Sequence, residues 1–172
     1  MVQFEKKPVV YTAQSKVQFY CRSAVSAFVL QQGAVPLNPF MVFDYFLQEN
    51  VARDLVRSGN NNLIRIADEL WVFGDKLADG VFLEILLARA LDKKVRYFTI
   101  SPKVEDIKPI RMITALTLES EMRQRFKPLN KQQLLSLLTN EPIDLNSINA
   151  LITDPVAFSN IMQPTLFPEE VG

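Results

Sequence analysis

The chain has 172 residues, 48% of them hydrophobic, and its 19 lysines and arginines are balanced by 19 aspartates and glutamates. That length supports one full domain with an appendage and is too short for two ordinary domains. The charge balance gives no overall field to attract nucleic acid or a membrane surface. Histidine is absent, which excludes serine-histidine and cysteine-histidine dyads and histidine metal sites. Acid-base or nucleophilic chemistry must therefore run on carboxylates, tyrosine or lysine, and neither a metal nor a cofactor is expected.

Met1-Val2-Gln3-Phe4-Glu5-Lys6-Lys7 lacks the order of a secretory signal, and no apolar run is long enough to span a bilayer. The expectation is a cytoplasmic protein without a membrane partner. The single cysteine, Cys21, sits in a helical pattern beside Tyr20 and Ala24 and reads as a small core hydrophobe.

Val9 to Ala13, a β-branched and aromatic run after Pro8, predicts the first strand. Ser15 is expected to cap a long amphipathic helix closed by Gly33. Ala34 to Leu37 is a second short strand, ended by Asn38-Pro39 because proline cannot continue a central ladder. This strand, helix and strand have the spacing of a parallel β-α-β unit. Phe40 to Leu47 is dense in aromatics and predicts a helical segment. Val51 to Arg57 continues helically, Ser58-Gly59-Asn60-Asn61-Asn62 reads as a loop, and Leu63, Ile66 and Ala67 as a short helix. Surface solvation is the preferred reading of Arg53 and of Asn60 to Asn62.

The segment from Asp68 to Ile85 is the most informative. Leu70-Trp71-Val72-Phe73 has strand length and ends at Gly74, and Gly80-Val81-Phe82-Leu83-Glu84 opens a helix that runs to about Leu91. In open parallel sheets, ligands bind where such strands end and helices begin. On a helix, Glu84 shares its face with Gly80, Val81, Leu87 and Ala88, all apolar or small. Two readings stand together: a first-turn acid favoured by the helix macrodipole, or a carboxylate at the mouth of a cleft. Gly80 would let a ligand approach the backbone closely.

Val95 to Ile100 is the last clear strand, stopped by Ser101-Pro102. Beyond it, Met112 to Phe126 is predicted helical, Asn130 caps Lys131 to Leu138, Asp144 or Asn146 opens a helix through Ile152, and the end from Gln163-Pro164 reads as a loose tail.

In this order, Val9 to Ala13, Asn38-Pro39, Ala67-Asp68-Glu69-Leu70-Trp71-Val72-Phe73-Gly74 and Gly80-Val81-Phe82-Leu83-Glu84 resemble the nucleoside 2-deoxyribosyltransferase-like superfamily, closest to its poorly characterised bacterial and phage branches. The likeness runs from Val9 to Ile100. It implies a flavodoxin-like or Rossmann-like three-layer α/β sandwich with a mostly parallel sheet of four to five strands over residues 1–102. Residues 103–172 would form a helical extension that packs on this core or at a subunit interface. The resemblance further implies that Glu84 attacks the anomeric carbon of a nucleoside or nucleotide and that Tyr11 orients it, so that a glycosyl ester passes to a second base or to water. The candidate substrate contacts are Asp79, carried over from the family, Gly74, Gly80 and Asn38 where strands end and the helix begins, and Ser15 at the start of the first helix; the resemblance also implies a homo-oligomer. Asp68 matches the aspartate opening the third strand, where a local turn role is preferred. Ala78 and Val81 stand where the family usually has a hydroxyl residue. That motivates a second reading, a module that binds or senses a nucleotide without cleaving it; a third is a structural oligomerising protein whose C-terminal helices mediate contacts.

Overall fold

The computed structural model describes residues 4–43 and 50–166, with the side chains of 163–166 left aside. Among the described residues, four strands form a parallel sheet in the order β2-β1-β3-β5, from β1 (Val9–Gln14), β2 (Val35–Leu37), β3 (Glu69–Phe73) and β5 (Lys94–Phe98). A second, two-stranded parallel pair joins β4 (Lys76–Leu77) to β6 (Thr117–Leu118). The protein is thus a Rossmann-like three-layer α/β fold, the architecture that the resemblance implies.

Strand alternation divides the sheet's two faces. Val10, Trp71, Phe73 and Phe98 point to one side, where they pack with Cys21, Val25 and Phe28. Cys21 is buried there, as expected for a small hydrophobe. Phe28 lies edge-on to Trp71, Phe73 and Phe98, with ring centroids 5.1 to 6.4 Å apart. Trp71 and Phe73 are therefore core residues and not a stacking platform. Tyr11, Ala13, Leu70 and Val72 point to the other side, under Val81, Phe82, Ile85 and Leu86. Asp68 accepts the Val9 N–H at 2.7 Å, a structural role, but across 59 positions to β1 and not to the local backbone as expected.

A 3-10 segment, Lys16–Cys21, precedes α1 (Arg22–Gln31), so the expected long helix begins as a tighter coil. The Ser15 hydroxyl does not cap it. Gly33 ends α1 at φ +81°, donating to Leu30 O at 3.0 Å, a left-handed stop that glycine adopts without a Cβ penalty. Asn38 begins the short α2 (Pro39–Val42), its Oδ1 accepting from Phe40 N–H. Tyr45, Phe46 and Leu47 of the expected aromatic helix lie outside the described residues.

The Ser58-Gly59-Asn60-Asn61-Asn62 loop is not there: one continuous helix, α3 (Arg53–Ile66), runs through it. Its buried Ile64 anchors the helix, and a Cβ at Gly59 would sit 2.8 Å from the Phe43 ring. Weak intrinsic propensity is overridden by this packing, and glycine is the residue that lets the ring approach.

From Gly74 the chain passes through β4 into α4 (Asp79–Ala90). Lys93 then donates to the carbonyls of Arg65 and Ala67 at 3.0 and 2.6 Å, tying the exit of α4 to the end of α3. Met112 to Phe126 is not one helix. It contains a 3-10 turn (Ile113–Ala115), β6 and α5 (Ser120–Arg125); the Thr117 amide is drawn to Asp75 O at 2.7 Å. Asn130 and Gln133 make the reciprocal capping box of α6 (Lys131–Thr139), and Asp144, not Asn146, caps α7 (Leu145–Thr153). A further helix, α8 (Pro155–Leu166), enters the stretch expected to be a loose tail; residues 167–172 lie outside the described residues.

Residues beyond 103 join the apolar cluster that covers α4, through Leu116, Met122, Phe126, Leu134, Leu137 and Leu151. The helical extension therefore packs on the α/β core of its own chain. Among the described residues no helix is long and apolar enough to cross a membrane.

Candidate active site

Glu84 lies in the second turn of α4, six residues into a helix that begins at Asp79. It is thus beyond the first turn, where the macrodipole would account for it. Its position above the centre of β1 brings it to Tyr11, whose hydroxyl donates to Glu84 Oε1 at 2.7 Å. Tyr11 is fully buried and Glu84 half-buried. Burial pushes the Glu84 carboxyl up from 4.5 to about 7, and the Tyr11 hydrogen bond acts against that rise. Burial, followed by the nearby charge of Glu84 and the hydrogen bond to it, raises Tyr11 well above the usual phenol value. The pair is therefore a neutral donor and an acid that titrates near neutrality, which is the range suited to acid-base or nucleophilic work.

Above Glu84 opens a cavity of about 480 Å³, ample for a nucleoside-sized molecule. Its floor is the α4 stripe of Gly80, Leu83, Glu84 and Leu87, spaced at three and four residues. One wall is α3, which presents Arg53, Arg57, Asn60, Asn61 and Arg65. α7 contributes the apolar Leu145, Ile148 and Ile152 together with Asn149, and Glu119 and Arg125 line the cavity from the start and end of α5.

The predicted residues divide into those at the cavity and those behind it. Ser15 lines it, and its hydroxyl donates to Glu119 Oε1 at 2.8 Å. Asp79 lines it as well, in an ion pair with Arg125, while its Oδ1 accepts the Gly80 N–H at 2.8 Å. Burial opposes the Asp79 charge, but Arg125, the Gly80 amide and Arg57 together outweigh it and hold the carboxyl below its ordinary value. Gly80 faces open space: a Cβ there would meet nothing within 4 Å.

Asn38 and Gly74 are not brought to the cavity. Asn38 is buried and donates to Gln14 Oε1 at 3.2 Å, so it steadies the Gln14 side chain, which does line the wall. Gly74, at φ +115°, donates to Phe98 O at 2.8 Å, and a Cβ would lie 3.0 Å from Gln18 Oε1. Its role is the turn itself.

Arg53 and Asn61 are solvent-exposed, as the solvation reading has it, and they also line the cavity together with the half-buried Asn60. Arg57, Arg65, Arg125, Glu119 and the α7 residues are functional candidates that sequence reasoning missed. The signal for α3 was present as Arg53, Arg57, Asn61 and Arg65 at intervals of four, hidden by reading the polar centre as a loop. Arg125 reaches Asp79 across 46 positions, and no local pattern announces that. Among the described residues, no cluster of three or more Cys, Asp or Glu side chains is placed to hold a metal ion.

No curated protein matches the chain. Residues 10–98, which carry β1, α1, the Gly74 turn, α4 and β5 and thus both Tyr11 and Glu84, match the family described as "Domain of unknown function (DUF7768)", and the chain belongs to that family.

Proposed function

We propose that the cavity binds a nucleoside or nucleotide and that Glu84 attacks its anomeric carbon, so that the protein cleaves an N-glycosidic bond or transfers the 2-deoxyribosyl group. The observation that carries this reading is the 2.7 Å Tyr11–Glu84 hydrogen bond beneath a cavity of about 480 Å³. It is the arrangement expected from the likeness to the nucleoside 2-deoxyribosyltransferase-like superfamily.

In this reaction a Glu84 oxygen forms a bond to C1′ as the C1′–N bond breaks, and the base leaves with the bonding electrons and takes up a proton from solvent. Water or a second base then attacks C1′ and gives up its proton to solvent, and the Glu84 carboxylate leaves with the ester electrons. Tyr11 lowers the proton affinity of a carboxylate that burial would otherwise keep protonated, and it fixes the second oxygen for attack. Every residue used here comes from one chain. The reading fits a cytoplasmic nucleoside-processing protein.

Free base released from a panel of 2′-deoxynucleosides and their 5′-phosphates, followed by chromatography, tests the proposal. Wild type releases base and Glu84→Ala does not. Base release undiminished in Glu84→Ala would overturn the assignment. A second reading, binding without cleavage, is favoured by Ala78 and Val81, which line the cavity without a hydroxyl. Ligand-induced thermal stabilisation of wild type without any free base would select it.

A further inference from the structure

We infer that the ligand of this cavity carries a phosphate group, seated on Arg53 and Arg57 of α3 and Arg125 of α5, so that a nucleoside 5′-phosphate is preferred over the free nucleoside. The inference takes the Glu84 cavity as the binding site proposed above and names the class of its occupant.

The three arginines come from two separate helices and all line the cavity. Arg53 and Arg57 are one helical turn apart and share a face of α3. The described lining of the whole cavity balances Lys16, Arg53, Arg57, Arg65 and Arg125 against Asp54, Asp79, Glu84, Glu119 and Glu121, but its α3 wall carries Arg53, Arg57 and Arg65 against Asp54 alone. Asp79 and Asp54 are unequal partners. Asp79 is committed to Arg125, while the Asp54–Arg57 contact is 3.7 Å long with Asp54 92% exposed, and such a pair contributes little. Burial first, then the charges of Arg53 and Arg125, hold the Arg57 guanidinium below its ordinary value. On the α3 wall, where the exposed Asp54 is the one acid in the lining, a positive charge thus stands incompletely neutralised.

An incoming dianion relieves that repulsion, and guanidinium forks match phosphate oxygens in pairs. The alternatives within the site are weaker. The Gly80 amide at the start of α4 is already taken by Asp79, and Ala78 and Val81 offer no hydroxyl. The other acids at the cavity are Glu84 on the floor, Glu119, held by Ser15, and Glu121. Leu145, Ile148 and Ile152 of α7 give the same cavity an apolar surface that suits a base or the carbon face of a sugar.

The test uses the full chain carrying Glu84→Gln, which separates binding from turnover, and measures affinities for four deoxynucleoside 5′-monophosphates, the matching deoxynucleosides and deoxyribose 5-phosphate by calorimetry. At least one monophosphate is expected to bind about tenfold or more tightly than its nucleoside, with an affinity that falls as salt rises. Adding Arg57→Gln or Arg53→Gln should bring that ratio close to one. Equal affinity for nucleotide and nucleoside, a ratio unchanged by both arginine variants, or no binding of any phosphate compound at millimolar concentration would each overturn the inference. The failures are distinguishable: phosphate-dependent binding without base release by wild type leaves the phosphate site standing and removes the reaction. Base release at equal rates from nucleosides and nucleotides does the opposite.

Discussion

The hydroxyl of Tyr11 and the carboxylate of Glu84 are 73 positions apart in the chain and 2.7 Å apart in space. The bond joins the middle of β1 to the second turn of α4, so the sheet itself sets where the carboxylate stands.

Removing that hydroxyl alters the acid and not only its position. In Tyr11→Phe the burial of Glu84 persists while the bond that opposes it is gone, so the carboxyl moves above its present value of about 7. The ascending limb of kcat/KM against pH should shift to higher pH, with a loss of about ten- to a hundredfold near neutrality. A profile superimposable on that of wild type would show that Tyr11 does not tune Glu84.

The same carboxyl makes stability depend on pH. Its folded value, about 7, lies above the ordinary 4.5, so between these values the folded state holds a proton that the unfolded state has released. The stabilisation is full below about pH 4.5 and is lost as pH rises through about 7, a change on the order of 3 kcal/mol. Urea unfolding of wild type should show this loss between mildly acidic and mildly alkaline pH. Glu84→Gln should lack it and be the more stable of the two above neutrality.

Asp79 follows the opposite sign. Arg125, the Gly80 amide and Arg57 hold its carboxyl below 3.8 despite burial, so its contribution is present above that pH and is lost as pH falls through the folded value. A double-mutant cycle of Asp79→Asn with Arg125→Gln should give a coupling of about 1 to 3 kcal/mol near neutrality that disappears in strong acid. Additive effects at neutral pH would mean the ion pair does not hold α5 to α4.

Two glycines near the turn should respond in contrary ways to the same methyl group. Gly74→Ala meets φ +115° and the Gln18 amide oxygen at 3.0 Å, and a loss of about 1 to 3 kcal/mol is expected. Gly80→Ala meets open space within α4, so thermal unfolding should rise by up to about 1 kcal/mol equivalent, while ligand affinity falls because the methyl enters the cavity. A stabilised Gly80→Ala with undiminished affinity would place the ligand elsewhere.

The parts of the fold legible in the sequence are those that local rules govern. Alternating strands, the Gly33 stop, the Asn130 box and the Asp144 cap all depend on neighbours within a few positions. Glu84 was visible as an acid on an apolar helical face, and the family likeness supplied Tyr11. What escaped depends on distant partners. Ser58 to Asn62 is helical because Ile64 is anchored and Phe43 lies against Gly59, and Thr117–Leu118 is a strand because Lys76–Leu77 is beside it. Neither cause lies within the window in which periodicity is read. Asn38 and Gly74 were placed by topology at the correct end of the sheet, yet their side chain and backbone face Gln14 and Phe98.

The β4–β6 pairing makes the cavity a joint product of two stretches of chain. It fastens the turn ahead of α4 to a segment beyond residue 98, where the family match ends, and from that segment come Glu119, Arg125 and the α7 residues of the lining. Glu84 and Tyr11 lie inside the matched stretch. A chain cut after residue 98 would therefore keep Tyr11 and Glu84 and lose side chains that enclose the cavity beside them.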